Sequence, residues 1–247
     1  MLARILKYLN GCLDNNHMYK IGNFIVKNYT KMNGYDLDKF LKEGQFTKEE
    51  VADFCQHFGF HHFDDFTNQL WLDHQTRMEQ IQLRMLDMDL NFFFDSLNID
   101  VLKADFLDLI DELCELMFKN KRIVIVGSLY PSCVAVDFQT DFISFGKDVV
   151  EYHHFDTDFQ FQEDDIVIFM SATGRSLIQS VEKMVPQNIC EANVVLITQN
   201  VKYKQFDNFC ADYVVHVLGK YDGLQFNYQL MLIFDLLRTR YYQNYYF

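Results

Sequence analysis

Proline and glycine are scarce in this chain, with 2 and 10 among 247 residues. Without a Pro/Gly/Ser-rich stretch there is no flexible linker, low-complexity tract or disordered tail to expect, so any junction between domains should be helical. Long apolar runs are also missing. The start, Met1-Leu-Ala-Arg-Ile-Leu-Lys-Tyr-Leu-Asn10, is interrupted by charge and too short for a signal segment. No later run approaches the roughly 20 apolar residues of a membrane span, so the reading is cytoplasmic, with no membrane partner. The 6 cysteines (Cys12, Cys55, Cys114, Cys133, Cys190, Cys210) form no CxxC pair and sit among apolar neighbours. They are therefore expected as core residues, with no disulfide framework, metal site or cofactor.

Positive charge is in deficit as well, with 22 Lys/Arg against 35 Asp/Glu and a formal net charge of -13. A generic nucleic-acid binder is excluded, because phosphate neutralisation needs clustered Lys and Arg. The deficit is uneven. Residues 1–77 hold nine Lys/Arg and ten Asp/Glu, so nearly all the excess negative charge lies beyond them. What the chain has in quantity is apolar side chain, 49%, enough to fill one large core or two ordinary ones.

Helical periodicity dominates the first half. Ile21, Phe24, Ile25 and Tyr29 form an amphipathic stripe over 19–29, and Leu37, Phe40 and Leu41 a shorter one that stops at Gly44. Thr47 followed by Glu50 reads as a capping box opening a helix over 48–58, with Val51, Phe54, Cys55 and Phe58 inward. Three short helices with a turn before the third match a helix-turn-helix, an arrangement that many small bundles share. Longer helices are expected over 69–91 and 101–119.

The pattern changes at Lys121. Arg122-Ile-Val-Ile-Val126, Asp165-Ile-Val-Ile-Phe-Met170 and Asn193-Val-Val-Leu-Ile-Thr198 are β-branched runs of the kind buried in parallel sheets. Further strands are expected at 146–152 and 211–217, with helices at 132–145 and 176–185 between them. Alternating strands and helices imply a three-layer α/β/α unit with a parallel sheet, whose ligands bind at the loops after Val126 and Met170.

Ser171-Ala-Thr-Gly-Arg-Ser176 follows one of these strands and opens a helix. Its three hydroxyls, Gly174 and a helix N-terminus suit a phosphate cradle; equally, Ser and Thr here can serve as helix caps alone. Strand, Ser-x-Thr-Gly-x-Ser and helix resemble the phosphosugar loop of SIS (sugar isomerase) domains, and the resemblance extends over 121–237. Gly127-Ser-Leu-Tyr-Pro-Ser132, leading into Ala135-Val-Asp137-Phe138, is similar to that family's first loop. Leu129 replaces its second glycine, and the usual serine aligns with Pro131 or, shifted by one, Ser132. The resemblance implies a phosphorylated sugar held by Ser171, Thr173, Gly174 and Ser176, with Ser132 and Gly127 as further candidates. His153 and His154 follow the second strand and face opposite ways as neighbours in an extended segment, so they are read as surface or packing residues. No catalytic base is nominated, which favours a sensor over an enzyme.

The segment from Phe46 to Phe66 resembles the helix-turn-helix of RpiR-type transcriptional regulators, with Phe54, Gly59, Phe60, Phe63 and Phe66 at its scaffold positions and Thr47 at the capping serine. Glu50 and Asp53 stand where that family has Thr and Arg. Thr47, Lys48, Gln56, Lys39 and Lys42 are the candidate DNA contacts. The expected organisation is therefore a head at 1–77, connecting helices at 78–119 and a SIS domain at 120–247, forming a homodimer or homotetramer. The resemblance implies a non-enzymatic regulator with a phosphorylated sugar effector and operator DNA as partners. The alternative is a sugar-phosphate isomerase or a non-DNA-binding protein of the same architecture.

Overall fold

The computed structural model describes residues 1–127, 130–207 and 209–246. Leu129, where the first loop departs from the SIS pattern, lies outside them.

The chain begins with a helix that periodicity had not singled out, α1 (Leu2–Asn10), whose Leu2, Ile5, Leu6 and Leu9 are buried along one face. Next come α2 (His17–Lys27), capped by Asn16, and α3 (Leu37–Gly44), capped by Asp36 and ended by Gln45 in the left-handed region at φ 57°. The expected capping box opens α4 (Lys48–His57). Thr47 Oγ1 accepts from the Glu50 N–H at 3.2 Å, and Glu50 Oε2 accepts from the Thr47 N–H at 2.8 Å. Val51, Phe54 and Cys55 are buried and Phe58 half-buried.

α5 (Phe63–Met85) starts earlier than the expected 69, because Phe63 and Phe66 already pack inward in its first turns, Phe66 edge-on to Phe54 at 5.7 Å. The expected continuation to 91 breaks instead, and α6 (Asn91–Ser96) and α7 (Lys103–Lys119) follow.

Five parallel strands form the sheet: β1 (Arg122–Val126), β2 (Asp148–Glu151), β3 (Asp165–Ser171), β4 (Asn193–Thr198) and, after a two-stranded hairpin of β5 (Gln205–Phe206) and β6 (Phe209–Cys210), β7 (Tyr213–His216). Their order is β2-β1-β3-β4-β7. The outer strands β2 and β7 are shorter than 146–152 and 211–217, since an edge strand keeps only the residues that its one neighbour pairs. The connecting helices are α8 (Tyr130–Ser144) and α9 (Arg175–Met184), and the chain ends in α10 (Gly223–Tyr245).

Alternation along the strands divides the core. Ile123, Ile125, Ile166, Ile168 and Met170 face α8 and α10, in a cluster that continues through the N-terminal helices from Leu2 to Tyr242. Val124, Val126, Val167 and Phe169 face Leu177, Val181 and Met184 of α9. The helices therefore lie on both faces, and the N-terminal helices share a buried core with one of them.

A buried ion cluster joins three helices on that side. The Asp141 side chain, fully buried on α8, accepts from Arg77 of α5 at 2.5 Å and from Arg238 of α10 at 2.9 Å. Burial raises its carboxyl above the usual range, against the two guanidiniums that pull it down. The cysteine expectation is corrected: Cys55 and Cys114 are buried, whereas Cys133, Cys190 and Cys210 are exposed and Cys12 is half-buried. Cys133 lies on α8, Cys190 on a 3-10 turn and Cys210 on β6, each on the outward side of its element. No helix among the described residues is long and apolar enough to cross a membrane.

Candidate functional site

In the order β2-β1-β3-β4-β7 the chain runs outward from β1 in one direction and from β3 in the other, so the crevice beyond the C-terminal ends of β1 and β3 is the topological switch point. The hydroxyl-rich turn lies there. Ser171 ends β3, and its Oγ accepts from the Gly174 N–H at 3.1 Å and meets Ser176 Oγ at 3.2 Å. Thr173 Oγ1 accepts from the Arg175 N–H at 3.3 Å. From the end of β4, Thr198 Oγ1 donates to the Ser171 carbonyl at 2.7 Å, and just past the strand the Asn200 side chain donates to the Thr173 carbonyl at 3.0 Å. Hydroxyls thus shape the turn as well as line it.

Gly174 is the N-cap of α9 at φ 79° and has no side chain of its own to cap the first turn; Thr173 Oγ1 takes the Arg175 N–H and the Gly174 carbonyl the Leu177 N–H, and the positive end of the helix dipole meets the crevice. A Cβ at this position would lie 2.0 Å from Tyr203 Cδ2, so glycine is required by space as well as by backbone angle.

A cavity of about 280 Å³ opens beside this turn, lined by Gly127 from the end of β1, by Ser171, and by Ser176, Gln179, Ser180 and Lys183 from one face of α9. His154, beyond β2, completes it. Of the sugar-phosphate candidates, Gly127, Ser171 and Ser176 line this cavity, whereas Thr173 and Gly174 form the turn behind it. His154 and Lys183 are the residues that the sequence had not nominated. The imidazole of His154 is held below its usual pKa by burial and then by the charge of Lys183. His153 points away from it and packs on Tyr19 and Phe155, its ring centroid 5.7 Å and 4.9 Å from theirs. Burial lowers its pKa to about 4.

Ser132, the sixth candidate, lies on the other side of Gly127, its Oγ 3.1 Å from where a glycine Cβ would stand. It adjoins Glu151 at the tip of β2. Burial pushes the Glu151 carboxyl up to about 7, and the nearby Ser132 hydroxyl opposes that shift. Ser132 Oγ and Glu151 Oε2 are both buried without a hydrogen bond of normal geometry, as are both amide atoms of Gln199 just past β4. Unpartnered polar atoms thus gather at the C-terminal end of the sheet, where a ligand's polar groups would meet them. No grouping of three or more His, Cys, Asp or Glu suited to a metal ion occurs among the described residues.

The DNA-contact candidates spread over α3, α4 and the turn between them. Lys42, Lys48 and Gln56 are exposed. Lys39 donates to the Gly34 carbonyl at 3.3 Å and lies 4.3 Å from the Tyr35 ring centre, and Thr47 is engaged in its cap. Asp53 meets His17 Nε2 at 2.9 Å, and Glu50 is drawn into the capping box, which lowers its pKa. Two of the carboxylates of α4 are thus engaged by Thr47 and by His17 of α2.

No family model matches the chain, and no curated protein does. Among solved structures it is similar to the Vibrio vulnificus NanR protein complexed with ManNAc-6P, at 14% identity over 99% of this chain and 92% of that one, with a TM-score of 0.46. It is similar also to the sugar isomerase domain of an RpiR transcription factor from Sphaerobacter thermophilus, at 14% identity over 63% of this chain and 84% of that one, with a TM-score of 0.44. A third is a hypothetical protein of Methanococcus jannaschii whose structure infers a 3-hexulose-6-phosphate isomerase, at 20% identity over 57% of this chain and 80% of that one, with a TM-score of 0.46.

Proposed function

We propose that the chain is a SIS-type phosphosugar-binding protein and acts as a regulator of the RpiR kind. In this reading the unit at 120–247 senses a phosphorylated sugar, the head at 1–77 contacts operator DNA, and 78–119 connects them in a homodimer or homotetramer. The observation that carries it is the hydroxyl turn at the β1/β3 switch point, where Ser171, Ser176 and the first turn of α9 border a cavity that no carboxylate lines. A phosphate there receives helix N–H groups and serine hydroxyls, the two kinds of donor that anion sites of such sheets use. The reading is tested by thermal-shift titration with hexose and amino-sugar phosphates. At least one should raise the melting temperature of the wild type and leave a Thr173→Ala, Ser176→Ala double variant unmoved. Equal responses of the two proteins would refute it. Fluorescence anisotropy on DNA upstream of the protein's own gene tests the head: Lys48→Ala should weaken binding across sequences, and silence even at low salt, in the wild type and in Asp53→Arg alike, would remove DNA from the reading.

One observation favours isomerase activity as a second reading. Glu151 stands beside Ser132 at the tip of β2, its carboxyl pushed up to about 7 by burial and so in the range where a general base works, and it borders the cleft with Tyr19 and Lys27 rather than the cavity at Ser171. Incubation with aldose and ketose phosphates in deuterated water decides between the two, since a sensor incorporates no label above a protein-free control.

A further inference from the structure

The cavity at the switch point is longer than one phosphate requires, and its two ends differ. One end is the hydroxyl turn. The other is formed by Lys183, seven residues along α9 from Ser176 and on the same face as Ser176, Gln179 and Ser180, with His154 opposite. Seven residues of helix rise about 10 Å, so the two ends are separated by roughly the length of an extended sugar chain with its phosphate.

Charge singles this cavity out. The chain carries a formal net charge of -13, and the other described cavities of comparable size each include two or three aspartates or glutamates. The one at the switch point includes none, and it holds Lys183. The lysine makes no ion pair among the described residues, and the only charge found acting on His154 is that of Lys183, which disfavours protonation of the ring. A lysine at the mouth of a cavity free of carboxylates, beside an imidazole that keeps an N–H to donate, lacks a counter-charge that a ligand would supply.

Resting on the phosphosugar reading of the same site, we infer that the ligand carries two separate anionic groups: it is a phosphorylated carbohydrate whose phosphate occupies the turn at Ser171 and Ser176 and whose second anionic group, at the far end of the chain, is held by Lys183 and His154. Gln179 and Ser180, between the two ends, are placed to meet the ligand's hydroxyls. The second group is either a carboxylate, as in a phosphorylated sugar acid, or another phosphate.

Isothermal titration with three probes separates these cases: glucose 6-phosphate carries one anionic group, 6-phosphogluconate adds a carboxylate, and fructose 1,6-bisphosphate adds a phosphate. The wild type should bind at least one of the two probes with a second anionic group about tenfold or more tightly than glucose 6-phosphate, the factor expected of one charge-assisted contact. Lys183→Met should abolish that preference, by weakening the probes with a second anionic group about tenfold more than it weakens glucose 6-phosphate. Lys183 is exposed, so the variant should fold, and an unchanged melting temperature without ligand checks this. Equal affinity of the wild type for all three probes, or an equal loss for all three in Lys183→Met, overturns the inference and leaves phosphosugar binding intact. Binding of none of them, together with the absence of any response in the hexose-phosphate panel, overturns both.

Discussion

Gly174 offers the sharpest test of how the site is built. Its φ of 79° lies in the left-handed region, where a residue with a Cβ costs about 1–2 kcal/mol. An added Cβ would also stand 2.0 Å from Cδ2 and 2.5 Å from Cγ of Tyr203, a half-buried ring attached to backbone that Asn200 and the strand before it hold in place. Relieving that overlap adds about 1–3 kcal/mol. Gly174→Ala should therefore cost about 2–5 kcal/mol in all. Tyr203→Ala, which removes a partly buried aromatic, should cost about 1–2 kcal/mol. In the double variant the overlap is gone and only the backbone strain and the lost ring remain. Its cost should fall short of the sum of the singles by about 1–3 kcal/mol, well beyond the error of additivity. Urea unfolding followed by far-ultraviolet circular dichroism gives all four corners of the cycle. Strict additivity would mean that Tyr203 does not back the turn, and the account of why glycine stands at the N-cap of α9 would fall. Sugar-phosphate affinity should remain low in the double variant, because the strained backbone still misaligns the first turn.

Three further outcomes follow from buried charge. Asp141→Asn removes the carboxylate shared by Arg77 and Arg238, leaving Arg77 without its ion pair while Arg238 keeps Asp235 at 2.6 Å, and should cost about 3 kcal/mol in the same unfolding assay. Glu151, raised from 4.5 to about 7 in the folded chain, contributes stability that is complete below about pH 4.5 and lost as pH rises through 7. Glu151→Gln should therefore gain on the wild type over that window, by about 1–2 kcal/mol once partial exposure is discounted. His153 works in the opposite sense: lowered from 6.5 to about 4, it contributes stability that is present above pH 6.5 and lost as pH falls through 4, so His153→Gln should soften acid unfolding in thermal melts run across that range.

Where structure is decided locally, the sequence could be read directly. The β-branched runs of β1, β3 and β4 announce strands buried on both faces, and the Thr47–Glu50 capping box marks the start of α4 to the residue. The hydroxyl turn was visible for the same reason, since Ser171, Gly174 and Ser176 fall within six consecutive positions. α10 was not visible. Phe226, Leu230, Phe234, Leu237 and Tyr241 share one buried face, but Leu224, Tyr228 and Met231 are apolar residues exposed on the other, so no polar face sets a helical period. α1 was hidden by its shortness. The far end of the cavity was hidden because His154 and Lys183 come from different elements, and nothing local to either shows that they meet across β1 and β3. Glu151 looks like an ordinary edge-strand carboxylate until the tertiary packing that excludes water from it is seen.

The alternation of an extended chain gives the exit of β2 a double role. Glu151 and His153 point toward the N-terminal helices, where Tyr19 of α2 meets the ring of His153 and, with Asn23 and Lys27, borders a cleft that also includes Glu151. Tyr152 and His154 point the other way, Tyr152 into the core beneath α9 and His154 into the cavity with Lys183. Two successive side chains, 153 and 154, therefore touch the head and the candidate ligand site. The peptide bond between them is planar, and the soft ψ and φ on either side of it are held by the packing of both rings, so the two side chains share one short backbone step. A ligand that draws His154 toward its anion must either leave the backbone still and turn the imidazole alone, or move His153 against Tyr19. The second costs contacts in a close-packed core, where the alternatives are discrete arrangements of rings rather than a continuous slide. If the head is to sense the cavity, this extended step is the shortest covalent route between them, and it needs no change in the sheet.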